Sequence, residues 1–182
     1  MASVPRAHLT PEEYLSLERQ AEVKSEYVDG TVIAMPGVSE RHNLIVVNLI
    51  TGLKPQLKEK GCRVYPGDLK VNVGSRFFYP DVFAICGDTA FVGEGTDVIT
   101  NPSLIIEVLS ESTSGYDHGT KFLSYQQIPS LQEYLLVHQD QFLVEQYRRQ
   151  PPNAWLYTRT DGLNSEMATL GCRLSLSELY DI

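Results

Sequence analysis

Glu107 stands in the middle of the apolar run Leu104-Ile-Ile-Glu-Val-Leu109. A run of that length suits a strand buried on both faces. An ionised carboxylate there has to be paired, protonated or bound to a metal ion, because an unpartnered charge in an apolar interior is very costly. A second carboxylate, Asp81, follows Pro80 at the head of another apolar stretch. Two carboxylates on neighbouring strands supply the hard oxygen ligands that one or two divalent cations need. Ions held in this way polarise a phosphodiester, activate water and stabilise the departing oxygen. A lysine beside them would stabilise developing charge. A lysine two residues beyond the acid would share its face of the strand, but Leu109 occupies that position. Lys121, from the helix expected next, is the replacement candidate.

The elements that must position these residues can be read from turn and cap signals. Asn101-Pro102 closes the segment before Glu107, and the Ser/Thr/Gly-rich stretch after Leu109 closes the strand itself. Asp117, Lys121 and Tyr125 are four apart, so a helix over 117–128 sets them on one face. Upstream, Thr10-Pro-Glu-Glu13 predicts a capped helix running to about residue 21. Residues 25–35 read as a hairpin turning at Asp29-Gly30. Ser39 caps a second helix with the stripe His42, Val46, Leu49, Leu53 and Leu57, stopping at Gly61, with Pro55 placed to kink its last turns.

Residues 69–73 alternate as a strand, Gly74-Ser75-Arg76 turns, and 77–86 returns as a strand interrupted at Pro80. A loop is expected over 87–100. A further hairpin turns at Gln139-Asp140-Gln141 between strands 133–138 and 142–149, and another strand follows Pro151-Pro152 over 155–158. Ser175-Leu-Ser-Glu178 opens a short terminal helix. This order indicates an α/β fold with a mixed central sheet flanked by helices.

The 182 residues suit one domain, 1–182, with a substantial core. A hydrophobic content of 42% with 21% charged residues is ordinary for a globular protein. No apolar run suits a membrane helix and the N-terminus has no signal-peptide pattern, so a cytoplasmic protein is expected. Cys62, Cys86 and Cys172 form no zinc motif and read as reduced thiols. The net charge of −8 argues against a general nucleic-acid coat. It leaves room for a metal-dependent nuclease, whose cation-holding acids contribute to that charge.

The ordered set Tyr79-Pro-Asp-Val82, Pro102-Ser-Leu-Ile-Ile-Glu-Val-Leu-Ser110, Ser112-Thr113, Asp117-x-x-x-Lys121 and Tyr125 resembles the Uma-type restriction endonucleases of the PD-(D/E)XK nuclease superfamily. The likeness extends through Glu26-Tyr-Val-Asp-Gly30, Arg41-His-Asn43 and Ile128-Pro-Ser-Leu-Gln-Glu-Tyr134, covering residues 10–150. It implies a restriction-endonuclease-like core and divalent-metal cleavage of DNA by Mg2+, with Mn2+ as a substitute. On this resemblance Asp81 and Glu107 are the metal ligands and Lys121 is the relocated lysine. Glu26 and His42 match family positions and form a second tier of site candidates.

Each residue also has a structural alternative. Asp81 suits a turn or cap, and Glu107 one half of an ion pair. Asp117 and Lys121 suit an exposed i,i+4 pair, the favoured reading for Asp117. His42 suits a hydrogen-bonded core position and Glu26 the flank of a hairpin. Ser110, Ser112 and Thr113 read as strand-end hydrogen-bonders, since no histidine–acid pair is spaced to activate them. Two other classes of function stand beside the enzyme. One is a nucleic-acid-binding module that kept the nuclease fold without turnover, with Leu109 as its mark. The other is a domain that dimerises through strands 133–149. The apolar strands from Tyr134 to Tyr147 suggest a homodimer, which would suit a two-stranded substrate.

Overall fold

Thr10 caps α1 (Pro11–Glu18). Its side chain accepts from the Glu13 amide at 3.2 Å, and Glu13 accepts from the Thr10 amide at 2.8 Å. This reciprocal pair satisfies two amides that a first helical turn leaves open. β1 (Ser25–Val28) and β2 (Thr31–Ala34) form the expected hairpin. Asp29 and Gly30 turn it with φ of 47° and 94°, the left-handed pair that a two-residue hairpin turn requires. Ser39 caps α2 (Glu40–Glu59), accepting from the His42 amide at 3.0 Å. The helix continues past Pro55 and buries His42, Ile45, Leu49, Leu53 and Leu57, with Val46 only half-buried.

This computed structural model describes residues 8–182. Beyond α2 the chain is mostly strand. β3 (Cys62–Pro66), β6 (Val82–Cys86), β8 (Leu104–Leu109), β9 (Glu133–His138), β10 (Leu143–Gln150) and β11 (Ala154–Asp161) make a six-stranded sheet in the order β11-β10-β9-β8-β6-β3. β4 (Lys70–Val73), β5 (Arg76–Phe78) and β7 (Val98–Ile99) join the first hairpin in a second sheet, order β2-β1-β5-β4-β7. The large sheet is mixed: β8 and β9 run parallel, and its other pairs run antiparallel. β8 lies inside it, buried along its whole length. Leu104, Ile106 and Val108 pack with Ile45, Leu49 and Leu53 of α2. Ile105 and Leu109 face the opposite way, among Phe78, Tyr125, Tyr134 and Leu136. Both faces are covered, which is why the strand reads as a continuous apolar run. By the same alternation Glu107 lies on the second face.

Several expectations need correction. The single strand expected over 77–86 is two strands in different sheets: β5 ends at Phe78 and β6 starts at Val82. Pro80 has no amide for a ladder, and the chain crosses there from the small sheet to the large one, leaving Asp81 at the junction. The segment 87–100 is not wholly loop, since it contains β7. Cys62 and Cys86 are not reduced thiols but a disulfide, with Cα atoms 4.0 Å apart. The antiparallel β3–β6 register sets them opposite each other, a proximity that a sequence separation of 24 conceals. Cys172 is a free, buried thiol.

The helix expected from Asp117 starts earlier and is not uniform. α3 (Ser114–Tyr116) passes into a π-helical turn (Asp117–Lys121) and then α4 (Phe122–Tyr125). Beyond β11 a hairpin of β12 (Glu166–Thr169) and β13 (Cys172–Ser175), turning at Leu170-Gly171 and not expected from the sequence, precedes the expected α5 (Leu176–Leu179). Pairing between subunits through 133–149 is not open to the chain, because β9 and β10 each have neighbours on both sides. The edge strand at that end is β11.

Leu53 is 1% exposed within the α2 cluster. Leu53→Ala is expected to cost about 2–5 kcal/mol of stability in urea unfolding. An unchanged midpoint would contradict the packing of α2 on the large sheet.

Candidate active site

One ammonium and four carboxylates meet where the two sheets and the helical segment 114–125 come together. Lys121 Nζ lies 3.0 Å from Glu107 Oε1, 3.1 Å from Glu26 Oε1 and 3.4 Å from Asp117 Oδ1. All four side chains are 7% exposed or less. Glu107 comes from β8, Glu26 from β1, and Asp117 with Lys121 from the π-helical turn. The Tyr125 hydroxyl donates to Glu107 Oε1 at 3.0 Å, and the Tyr79 amide donates to Glu26 Oε1 at 2.9 Å. The Tyr134 hydroxyl donates to the Asp117 carbonyl at 3.0 Å, tying the π-helical turn to β9.

The fourth carboxylate, Asp81, is built by strand register. Val82 pairs with Ile106, so the residue before β6 sits opposite Glu107. The Asp81 amide donates to Glu107 Oε2 at 3.4 Å. In return Asp81 Oδ2 accepts the Val108 amide at 2.7 Å and lies 3.2 Å from His42 Nε2. Donation from Nε2 in the neutral ring leaves Nδ1 as the acceptor. That Nδ1 is buried and has no hydrogen-bond partner among the described residues. The Asp81 side chain is 20% exposed, the most open of the four acids. Asp81, His42 and the four residues of the ammonium cluster line one cavity of about 640 Å³.

Burial holds Glu107 well above the usual carboxylate range; the Lys121 charge opposes this, and the neighbouring carboxylates add to it. Burial raises Asp117 in the same direction against the pull of Lys121. For Lys121, burial alone would favour the neutral amine, but Glu107, Glu26 and Asp117 outweigh it and hold the ammonium well above its ordinary range. The site therefore holds a fixed cation among four carboxyl groups, two of which, Glu107 and Asp117, burial biases toward the protonated form.

This carboxyl-rich setting bears on whether a metal ion fits. Among the described residues, no three His, Cys, Asp or Glu side chains are grouped to hold one. Magnesium usually takes only one or two carboxylates and completes its shell with water and substrate oxygens. Asp81 and Glu107 supply hard oxygens side by side, and Glu107 Oε2 is engaged by the long Asp81 amide contact at 3.4 Å. The oxygen donors of Asp81 and Glu107 are of the type Mg2+ and Mn2+ take.

The structure thus brings Asp81, Glu107, Lys121, Glu26 and His42 into one site. Asp117 is not the exposed partner expected of an i,i+4 pair. It is 3% exposed and is the third carboxylate on Lys121. Tyr125 hydrogen-bonds Glu107, a role its four-residue spacing from Lys121 could have signalled. The Tyr79 amide has no such signal. Leu109 is 3% exposed among aromatic side chains on the face that carries Glu107. Ser110 Oγ lies 3.0 Å from both Ser112 Oγ and Thr113 Oγ1, as strand-end hydrogen-bonders should.

Removing Lys121 leaves three buried carboxylates without a counter-ion. Lys121→Met is expected to lose about 3–5 kcal/mol of stability in urea unfolding. Because Glu107 and Asp117 already titrate above their usual range, the folded state holds their protons more tightly than the unfolded state. That contribution is present at low pH and is lost as pH rises through the raised values. The variant should therefore lose more stability between about pH 5 and pH 8 than the parent does. Equal stability at both pH values would contradict the assigned role.

Residues 11–177 match the Uma2 family, described as "Putative restriction endonuclease". Uncharacterized protein sll1609 of Synechocystis sp. is 38% identical over 161 residues, spanning 87% of this chain and 91% of its own length. Uncharacterized protein slr1290 of the same organism is 36% identical over 183 residues, spanning 98% and 94%. A crystal structure titled as a putative nuclease belonging to DUF820, from Anabaena variabilis, superposes with a TM-score of 0.78 at 21% identity. The match covers 94% of this chain and 97% of that one. The fold is α/β with a restriction-endonuclease-like core, its mixed sheet flanked by helices.

Proposed function

The chain belongs to the Uma2 family, and from that premise we propose that it is a divalent-metal-dependent DNA endonuclease that hydrolyses phosphodiester bonds. The observation that carries the reading is the partly open Asp81 beside the buried Glu107–Lys121 pair. Asp81 and Glu107 are the metal ligands, for Mg2+ with Mn2+ as substitute. When bound, the ion supplies a Lewis acid that polarises the phosphodiester and lowers the pKa of water. His42 and the Val108 amide fix the Asp81 carboxylate from two directions. Tyr125 and Lys121 together orient Glu107. The Lys121 ammonium offsets charge that builds on the phosphoryl oxygens, acting through the field of the cavity. Glu26 and Asp117 keep that ammonium in place and charged.

One observation favours the alternative of a nuclease-fold module without turnover. An ammonium has three donors, and three carboxylates already surround Lys121. Paired substitutions separate the readings. Lys121→Ala is expected to lower cleavage about 10²–10³-fold and to weaken Mn2+ binding without abolishing it, since both ligands remain. Glu107→Ala removes a ligand and should abolish Mn2+ binding and cleavage together. If Lys121→Ala cleaves as fast as the parent, the lysine is structural. If the parent cuts no DNA with either ion, the endonuclease reading is wrong.

Assembly as a homodimer through β11 is also proposed. Among the described residues that strand has a neighbour only on its β10 side, and its Leu156 and Tyr157 are each 48% exposed. Sedimentation at micromolar concentration is expected to show a dimer. A monomer throughout would contradict it.

A further inference from the structure

Resting on the endonuclease reading, we propose that the cavity takes one unpaired nucleotide, so that the substrate is single-stranded DNA rather than the interior of a duplex. The cavity of about 640 Å³ has the size of a small-molecule pocket, a class that includes mononucleotides. One wall is aliphatic, formed by Ile33 of β2 and by Met35, Pro36 and Val38 between β2 and α2. Pro36 is exposed and Val38 is 53% exposed, so this wall offers apolar surface at the mouth of an acidic site. Another wall carries the half-buried Tyr116 ring and the hydroxyl of Thr113. Apolar and aromatic surface for a flat ring, with hydroxyls to meet its edges or the sugar, is how unpaired nucleotides are held. A stacked, paired base would present neither face to these walls.

The distribution of cations points the same way. Duplex binding draws most of its affinity from phosphate neutralisation by Lys and Arg, yet Lys121 is the only Lys or Arg in the cavity lining among the described residues. Eight of the described Lys and Arg side chains, Lys121 included, are ion-paired to carboxylates of this chain. The lysine group Lys54, Lys58 and Lys60 lies at the C-terminal end of α2, whereas His42 enters the site from its N-terminal turn. At about 1.5 Å per residue, His42 and Lys58 are roughly 24 Å apart along the helix. Arg41, next to His42, donates to the carbonyl of Gln139 at the cavity rim, so a rod-like duplex seated on the carboxylates would meet few cations beside an otherwise acidic and apolar surface. A single nucleotide entering the cavity gains contact area that does not depend on cations.

The test is fluorescence anisotropy with a labelled oligothymidylate and a blunt duplex of equal length, each titrated with the full chain in Ca2+. Single-strand binding is expected to be at least about ten-fold tighter, the scale of one stacked base. The double variant Met35→Ser/Val38→Ser, changed only in the aliphatic wall, should lose that preference while its thermal melt and its duplex binding stay unchanged. Equal or tighter binding of duplex, no binding of either, or an unaffected double variant overturns the inference. Cleavage in Mg2+ is scored separately. A single strand that is bound but never cut leaves this inference standing and removes the endonuclease reading. Cutting confined to duplex interiors does the reverse.

Discussion

The architecture of the site depends on one buried ammonium. Lys121 sits among three carboxylates from three elements, whose combined charge outweighs the burial that would otherwise favour the neutral amine. A charge taken from water into a protein interior costs several kcal/mol and is tolerated only when its partners are close and well oriented. The dependence runs in both directions. Glu107 is held above its ordinary range by burial and would be more so without Lys121. The strand, the hairpin and the helical segment are thus coupled through a single nitrogen atom. The same coupling leaves Asp81, which lies outside the ammonium's direct contacts, as the acid most open to a ligand.

Two irregularities make that convergence possible. At Tyr79-Pro80-Asp81 the chain leaves one sheet for the other, which sets Asp81 opposite Glu107 at the end of an antiparallel pair. In the segment 114–125 the helix widens into a π-helical turn that carries both Asp117 and Lys121. Such turns appear as single insertions within α-helices, often at functional sites. Tyr134 holds the turn by its Asp117 carbonyl, while Tyr125, one turn later, reaches Glu107. Aromatic side chains around Leu109 fill the space into which a lysine on β8 would have pointed. The cation enters instead from the helix, across the strand end.

Much of the site was legible in the sequence because its chemistry conflicts with its surroundings. Glu107 interrupts an apolar strand, and burial of an unpaired acid is costly enough to demand a partner. Asp81 was marked by the proline before it, and Lys121 by the leucine that fills the usual lysine position at 109. Asp117 was misread because charges four apart look the same on a solvated helix and on a buried one. Only tertiary packing distinguishes them. The Cys62–Cys86 pairing depends on the register between two strands separated by a long excursion through the second sheet. The π-helical turn has no sequence signature of its own. β7, of two residues, is too short for alternation to stand out from a loop.

The central claim is that the Asp81 and Glu107 oxygens, held by His42, Tyr125 and Lys121, form a divalent-cation site. The most direct measurement is anomalous diffraction at the manganese edge from crystals of this chain soaked in Mn2+. The expected result is a peak bounded by the Asp81 and Glu107 carboxylates, with Lys121 still on Glu107. A map with no peak there, or with its strongest protein-bound peak at other side chains, would contradict the claim.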